Sequence, residues 1–195
     1  MHVFPSFAVG GAQVRFGQLA AAHNGLYRHT VLALDGNLGM APILSSAVAI
    51  ECVVPNFNKR ASFQNLPLFR RNIAQYGPDV LVTYNWGAME WCLANRFRPL
   101  ARHIHIEDGF GPEEKHKQLA RRVWMRRIAL SGHQTQVVLP SRLLEHIAHA
   151  EWRLPLGLLH LELVDNLGDP VRLPGQTPRA IALGVRTDRA GQRDD

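Results

Sequence analysis

Two cysteines in 195 residues, Cys52 and Cys92, leave no disulfide framework, and neither sits in metal-ligand spacing. Their scarcity points to a reducing compartment. Nor is there an uninterrupted apolar run of the roughly 20 residues that a spanning helix needs. The chain enters strand-like text at once, without a basic leader, apolar segment and cleavage site, so a cytoplasmic location is expected. Histidine is abundant at ten, yet no H-E-x-x-H or comparable set occurs. His103 and His105 alternate along one strand face without a third ligand, and no metal is expected from them. The dinucleotide fingerprint G-x-G-x-x-G and the P-loop G-x-x-x-x-G-K-[ST] are also missing: "VGGAQVRFGQ" satisfies neither. Hydride transfer and NTP hydrolysis recede, and no cofactor is expected. Residues 153–195 hold no Phe, Tyr, Trp, Lys or Met, and from about Gly168 the text favours disorder. Only "LGLLHLEL" in that stretch could make one strand or a helical turn.

What is present is a basic, moderately apolar chain: formal charge +6, pI near 10.0 and 46% hydrophobic residues, enough for one domain with a real core. The charge attracts polyanions, but no nucleic-acid module accompanies it and nucleic acid is not an expected partner. Along the chain strands and helices alternate. Val3–Phe7, Tyr27–Leu34, Ala47–Val54, "DVLVTYN", "RHIHIEDG" and "QTQVVLPS" read as six strands. Between them lie a helical face through Ala12, Phe16, Leu19, Ala20 and His23, a helix at Leu66–Tyr76 stopped by Gly77-Pro78, and "GAMEWCLANRF". Lys115–Leu130 follows as a helix, and Ser141 caps "RLLEHIAHAEW". Such alternation predicts an α/β domain over residues 1–152, a doubly wound, mostly parallel Rossmann-like sheet, followed by an irregular tail over 153–195.

In such a sheet ligands bind at the carboxyl ends of the strands. Gly10-Gly11-Ala12 ends the first, where missing side chains and a helix N-terminus suit an anion, or simply a tight turn. Asn85 ends the fourth and could bond a substrate hydroxyl or cap the next helix. Glu107-Asp108-Gly109-Phe110 ends the fifth. There the acids could grip sugar hydroxyls or act as a base and Phe110 could lie against a pyranose ring; equally, Asp108 could organise a turn and Glu107 pair with an arginine. In "EKHKQLARRVWMRRIAL" the residues Leu119, Val123, Trp124 and Ile128 form an apolar stripe, which places Arg122 and Arg126 on the outer faces. Those two arginines are the candidates for peripheral contact with anionic lipid at the inner face of a membrane.

"HVFPSFAVGGAQVRFGQLA", "YGPDVLVTYN" and "VVLPSRLLEHIA" together resemble the N-terminal lobe of glycosyltransferase family 4 across about residues 1–152. The resemblance implies one lobe of the GT-B arrangement, on the acceptor side of a retaining, metal-independent transferase. Its donor would be a nucleotide sugar and its acceptor a lipid-linked or polysaccharide intermediate. Gly10, Gly11 and Ala12 match the loop that meets the donor diphosphate. Asn85, Glu107, Asp108 and Phe110 fall on the acceptor side, although "HIEDGFG" stands where many relatives have a His-containing turn. The "PNG" turn and E-x7-E motif of the donor lobe are not found, so this chain alone is expected to be weak or inactive in catalysis. The alternative is a non-catalytic α/β binding module or a defunct fragment.

Overall fold

The structure, a computed structural model, describes residues 1–44, 48–58, 61–114 and 117–161. Successive residues of the first strand, β1 (His2–Phe4), are buried on opposite sides: Val3 packs in one apolar cluster and Phe4 in another. The same division holds for Leu32 against Val31 and Ala33 in β2 (His29–Ala33), and for Leu81 against Val82 in β4 (Val80–Tyr84). Strands of this kind are covered by helices on both faces, which is why they read as nearly continuous apolar text.

With β3 (Ile50–Val53), β5 (Arg102–Ile106), β6 (Thr135–Leu139) and β7 (Leu159–Leu161) they form a seven-stranded sheet of order β3-β2-β1-β4-β5-β6-β7. Every pairing is parallel, as the alternation predicts. The chain winds outward from β1 to β3, then restarts at β4 on the other side of β1. That reversal between β1 and β4 is the switch point at which an open α/β sheet forms a crevice. On one face lie α1 (Gly11–Ala22) and α2 (Ala41–Leu44), where Phe16, Ala20 and Leu44 meet Phe4, Phe7 and Tyr84. Packed on the other are α3 (Leu66–Tyr76), α4 (Met89–Arg96), α5 (Ala120–Leu130) and α6 (Arg142–Ala150).

Local chemistry sets the boundaries. Gly77 takes a left-handed conformation, φ 51°, and its N–H donates to Ile73 O, ending α3 where the Gly-Pro pair predicts. Ser141 Oγ accepts from Leu144 N–H at 3.2 Å, the expected cap of α6. In α1, Leu19, expected on the buried face, is exposed and Gly17 lies in the core instead: a Cβ there would stand 2.4 Å from Leu44 Cδ2, so a larger residue would have to displace the Leu44 side chain. Helix α5 begins at Ala120, because Leu119 N–H donates instead to the Glu114 carboxylate at 3.1 Å. Its predicted start at Lys115 lies outside the described residues. The compact unit runs to Glu162, past the boundary expected at 152. Trp152, Leu154 and Leu159 are core residues, and β7 adds to the sheet edge beside β6. The disorder expected from Gly168 onward also lies outside the described residues. No helix among the described residues is long and apolar enough to cross a membrane.

Candidate functional site

Three strand ends meet at the switch point. After β1 the backbone turns at Gly10, which is extended and offers α1 no side-chain cap, so the first-turn N–H groups face outward from the helix start. A Cβ on Gly11 would meet nothing within 4 Å. After β4 comes Asn85, one of two non-glycine residues with positive φ among those described (54°). It makes no side-chain cap to the turn that follows. Instead Asn85 Oδ1 accepts from Asp108 N–H at 2.8 Å and its own N–H donates to Ile106 O at 2.8 Å, tying the end of β4 to the end of β5. Gly87 packs so closely on Pro5 that a Cβ would lie 2.7 Å from it, drawing the turn after β4 against the chain leaving β1.

The two acids at the end of β5 part company. Asp108 keeps an exposed edge and forms an ion pair with Arg15 of α1, four residues beyond Gly11. Its Oδ2 has no hydrogen-bond partner among the described residues. Glu107 turns inward and is fully buried, bonded through Oε2 to His105 Nε2 and Arg126 Nε, both at 3.3 Å. Of the two readings the sequence leaves open for Glu107, a strand-end acid free to bind and a partner of an arginine, the structure shows the second. Phe110 likewise packs edge-on to Trp152, with the Arg126 guanidinium 5.2 Å from its ring centre. The ring is engaged by the core and not presented as a sugar platform.

The largest correction concerns α5. Arg126 is 0% exposed and Arg122 9%, whereas Trp124 is 59% and Ile128 41% exposed. Neither arginine is available to a lipid surface, and the expected apolar stripe is partly turned to solvent. The reason is electrostatic. Arg126 donates to both oxygens of buried Glu114 at 3.2 and 3.1 Å and to Glu107, while Arg122 donates to Glu114 at 3.0 Å and pairs with Glu113. Trp86, Phe110 and Trp152 surround the Arg126 guanidinium at 5.0 to 5.2 Å. Burial opposes the ionisation of Glu114, yet the hydrogen bonds from Arg126 and Arg122 hold its carboxyl below the usual carboxylate range.

Beneath Glu107 lies a buried polar group that sequence reasoning missed. Thr83 Oγ1 sits 2.8 Å from His103 Nε2, 2.9 Å from His105 Nδ1 and 3.2 Å from Cys92 Sγ, all four side chains being sealed from solvent. Burial alone would depress His105, but the Cys92 thiol and Glu107 raise it to about 9. Burial likewise raises Cys92, and the two histidines outweigh it, bringing the thiol to about 6. Arg15 and Glu114 were also missed; their partners lie 93 and 12 residues away in sequence, and no local pattern announces them.

No protein-family model matches this chain, and no curated protein matches it. Among solved structures it is similar to the crystal structure of a glycosyltransferase from Rickettsia africae ESF-5, with a TM-score of 0.57 and 16% identity. The alignment covers 84% of this chain and 42% of that one, so the chain spans less than half the length of its neighbour. At that identity the likeness is one of fold: a Rossmann-like α/β unit of a kind that a glycosyltransferase carries.

Proposed function

We propose that this unit is the acceptor-side, N-terminal lobe of a GT-B glycosyltransferase of the family 4 type, working with a nucleotide-sugar donor and a lipid-linked or polysaccharide acceptor. The observation that carries the reading is the Arg15–Asp108 ion pair with the Asn85–Asp108 hydrogen bond. Together they gather the glycine-led helix and two strand ends into one crevice at the switch point. Within it, Gly10, Gly11 and Ala12 offer helix N-terminal donors to a diphosphate, and the partly exposed Asp108 carboxylate accepts from an acceptor hydroxyl. Glu107 and Arg126 support that edge from below. Such a lobe contributes by holding the acceptor and stabilising developing charge, the two main sources of rate in this kind of transfer. The donor's base and ribose would be held by a second lobe.

An amide NMR titration of the chain with nucleoside diphosphates and a panel of glycans tests this. Shift changes should cluster at Gly10–Ala12, Asn85 and Asp108, and Gly11→Val, which enters open space, should abolish the diphosphate response while the remaining spectrum is kept. Changes scattered over the surface, or confined to another edge of the sheet, refute the assignment.

A further inference from the structure

We infer that Cys92, His103 and His105 form a buried site for a divalent transition ion of the zinc class, with the Thr83 hydroxyl at the fourth corner. The ligating atoms Cys92 Sγ, His103 and His105 ring nitrogens already lie within 4.8 Å of one another. Zinc bonds of about 2.0–2.1 Å to nitrogen and 2.3 Å to sulfur set a tetrahedral N···S edge of about 3.6 Å. The distance from Cys92 Sγ to His105 Nδ1 is 3.6 Å. The Thr83 edges of 2.8 and 2.9 Å to nitrogen and 3.2 Å to sulfur are short of the corresponding tetrahedral edges, about 3.4 Å for O···N and about 3.6 Å for O···S, by roughly half an ångström.

The surroundings are those a metal-bound imidazole requires. His105 directs its other nitrogen at the Glu107 carboxylate and His103 directs its other nitrogen at Thr135 Oγ1, 3.1 Å away. Outer partners of this kind fix the tautomer so that the inner nitrogen carries its lone pair toward the ion. Charge agrees. Around Arg126 three carboxylates, Glu107, Glu113 and Glu114, face two guanidiniums, Arg122 and Arg126, a surplus of one negative charge. A divalent ion with one thiolate supplies one positive charge. Without metal, Cys92 and His105 share one proton with no net charge and the surplus stays, and that metal-free hydrogen-bonded knot is the rival that the experiment separates. Loading displaces the proton held between Cys92 and His105, and because the site is closed to solvent the ion enters during folding and leaves only on unfolding. It is a structural ion, joining β4, β5 and α4 under the strand-end acids, and no substrate reaches it.

The test uses the full chain unfolded in chelator and refolded with Co2+ or Zn2+ alone. The expected result is one ion per chain by elemental analysis and a visible spectrum of four-coordinate Co2+ with a thiolate charge-transfer band, replaced on adding Zn2+. Cys92→Ser should remove the charge-transfer band, and Thr135→Val should weaken retention against a competing chelator by about 10- to 100-fold. If Cys92→Ser does not fold, the wild-type spectrum decides. A wild-type chain that refolds with less than a tenth of an ion, or shows only the octahedral aquo-ion spectrum, overturns the inference and leaves the knot.

Discussion

Replacing Arg126 by methionine keeps much of the side-chain volume while removing the charge on which two buried carboxylates depend. Arg126 supplies Glu114 with two hydrogen bonds and Glu107 with one, and no part of it reaches solvent. Removing one partner of a buried ion pair costs about 3–5 kcal/mol, since the stranded charge must stay buried or take up a proton. Glu114 retains Arg122 and Glu107 retains His105, which places the expected loss toward the lower end of that range, about 3 kcal/mol. For a domain of this size that is a fall in Tm of roughly 6–12 °C. Urea denaturation followed by circular dichroism should show a lower midpoint at unchanged m-value. Glu114→Gln in the same background should recover part of the loss, because it removes one of the two stranded acids, and the pair would then be non-additive. A loss under about 1 kcal/mol in Arg126→Met, the scale of exposed pairs, would refute the idea that this network holds α5 to the sheet.

Acid should find the same network. The Glu114 carboxyl is held below its ordinary value of 4.5, so its contribution is complete above that value and is lost as pH falls through the lower folded-state value. Thermal melts between pH 6 and 3 should therefore fall more steeply for the wild type than for Glu114→Gln; parallel curves would contradict this. After β6, Ser141→Ala removes the side-chain cap from Leu144 N–H and should cost about 1 kcal/mol of stability by urea titration, with the α6 register kept.

Strand and helix alternation was legible because each central strand is buried on both faces and therefore written almost entirely in apolar residues, as in "VLVTY". The bounds of α3 were legible too, since Gly77-Pro78 punctuates locally. Helix α5 was misread for an instructive reason. An apolar stripe is the usual guide to a helix's inner face, but here Arg122 and Arg126 point inward while Trp124 points out. Their acids come from the end of β5 and from the turn Pro112–Glu114, and only the assembled sheet brings those together. Cys92 escaped notice in the same way. It sits 11 and 13 residues before His103 and His105, a spacing no metal motif uses, and becomes their neighbour only because α4 lies across β4 and β5. Strand β7 was too short, at three residues, to be distinguished from a helical turn.

The adjacent acids at the end of β5 show how one strand serves two layers. Side chains alternate along extended backbone, so Glu107 continues the face of His103 and His105, while Asp108 continues the face of Ile104 and Ile106. Glu107 accordingly meets Arg126 of α5 on one side of the sheet, and Asp108 meets Arg15 of α1 on the other. The inner acid is paired through Oε2 alone, with its Oε1 buried and without a partner among the described residues, while the outer one pairs through Oδ1 with its Oδ2 likewise buried and unpartnered, so the two differ in the exposure of the side chain as a whole. Two adjacent carboxylates in sequence thus go to opposite faces of the sheet, and the division follows from a period of two, with no special signal at either residue. The strand end that carries Asp108 is thus tied from one side by the buried ion-pair network through Glu107 and from the other by the Asn85 bond.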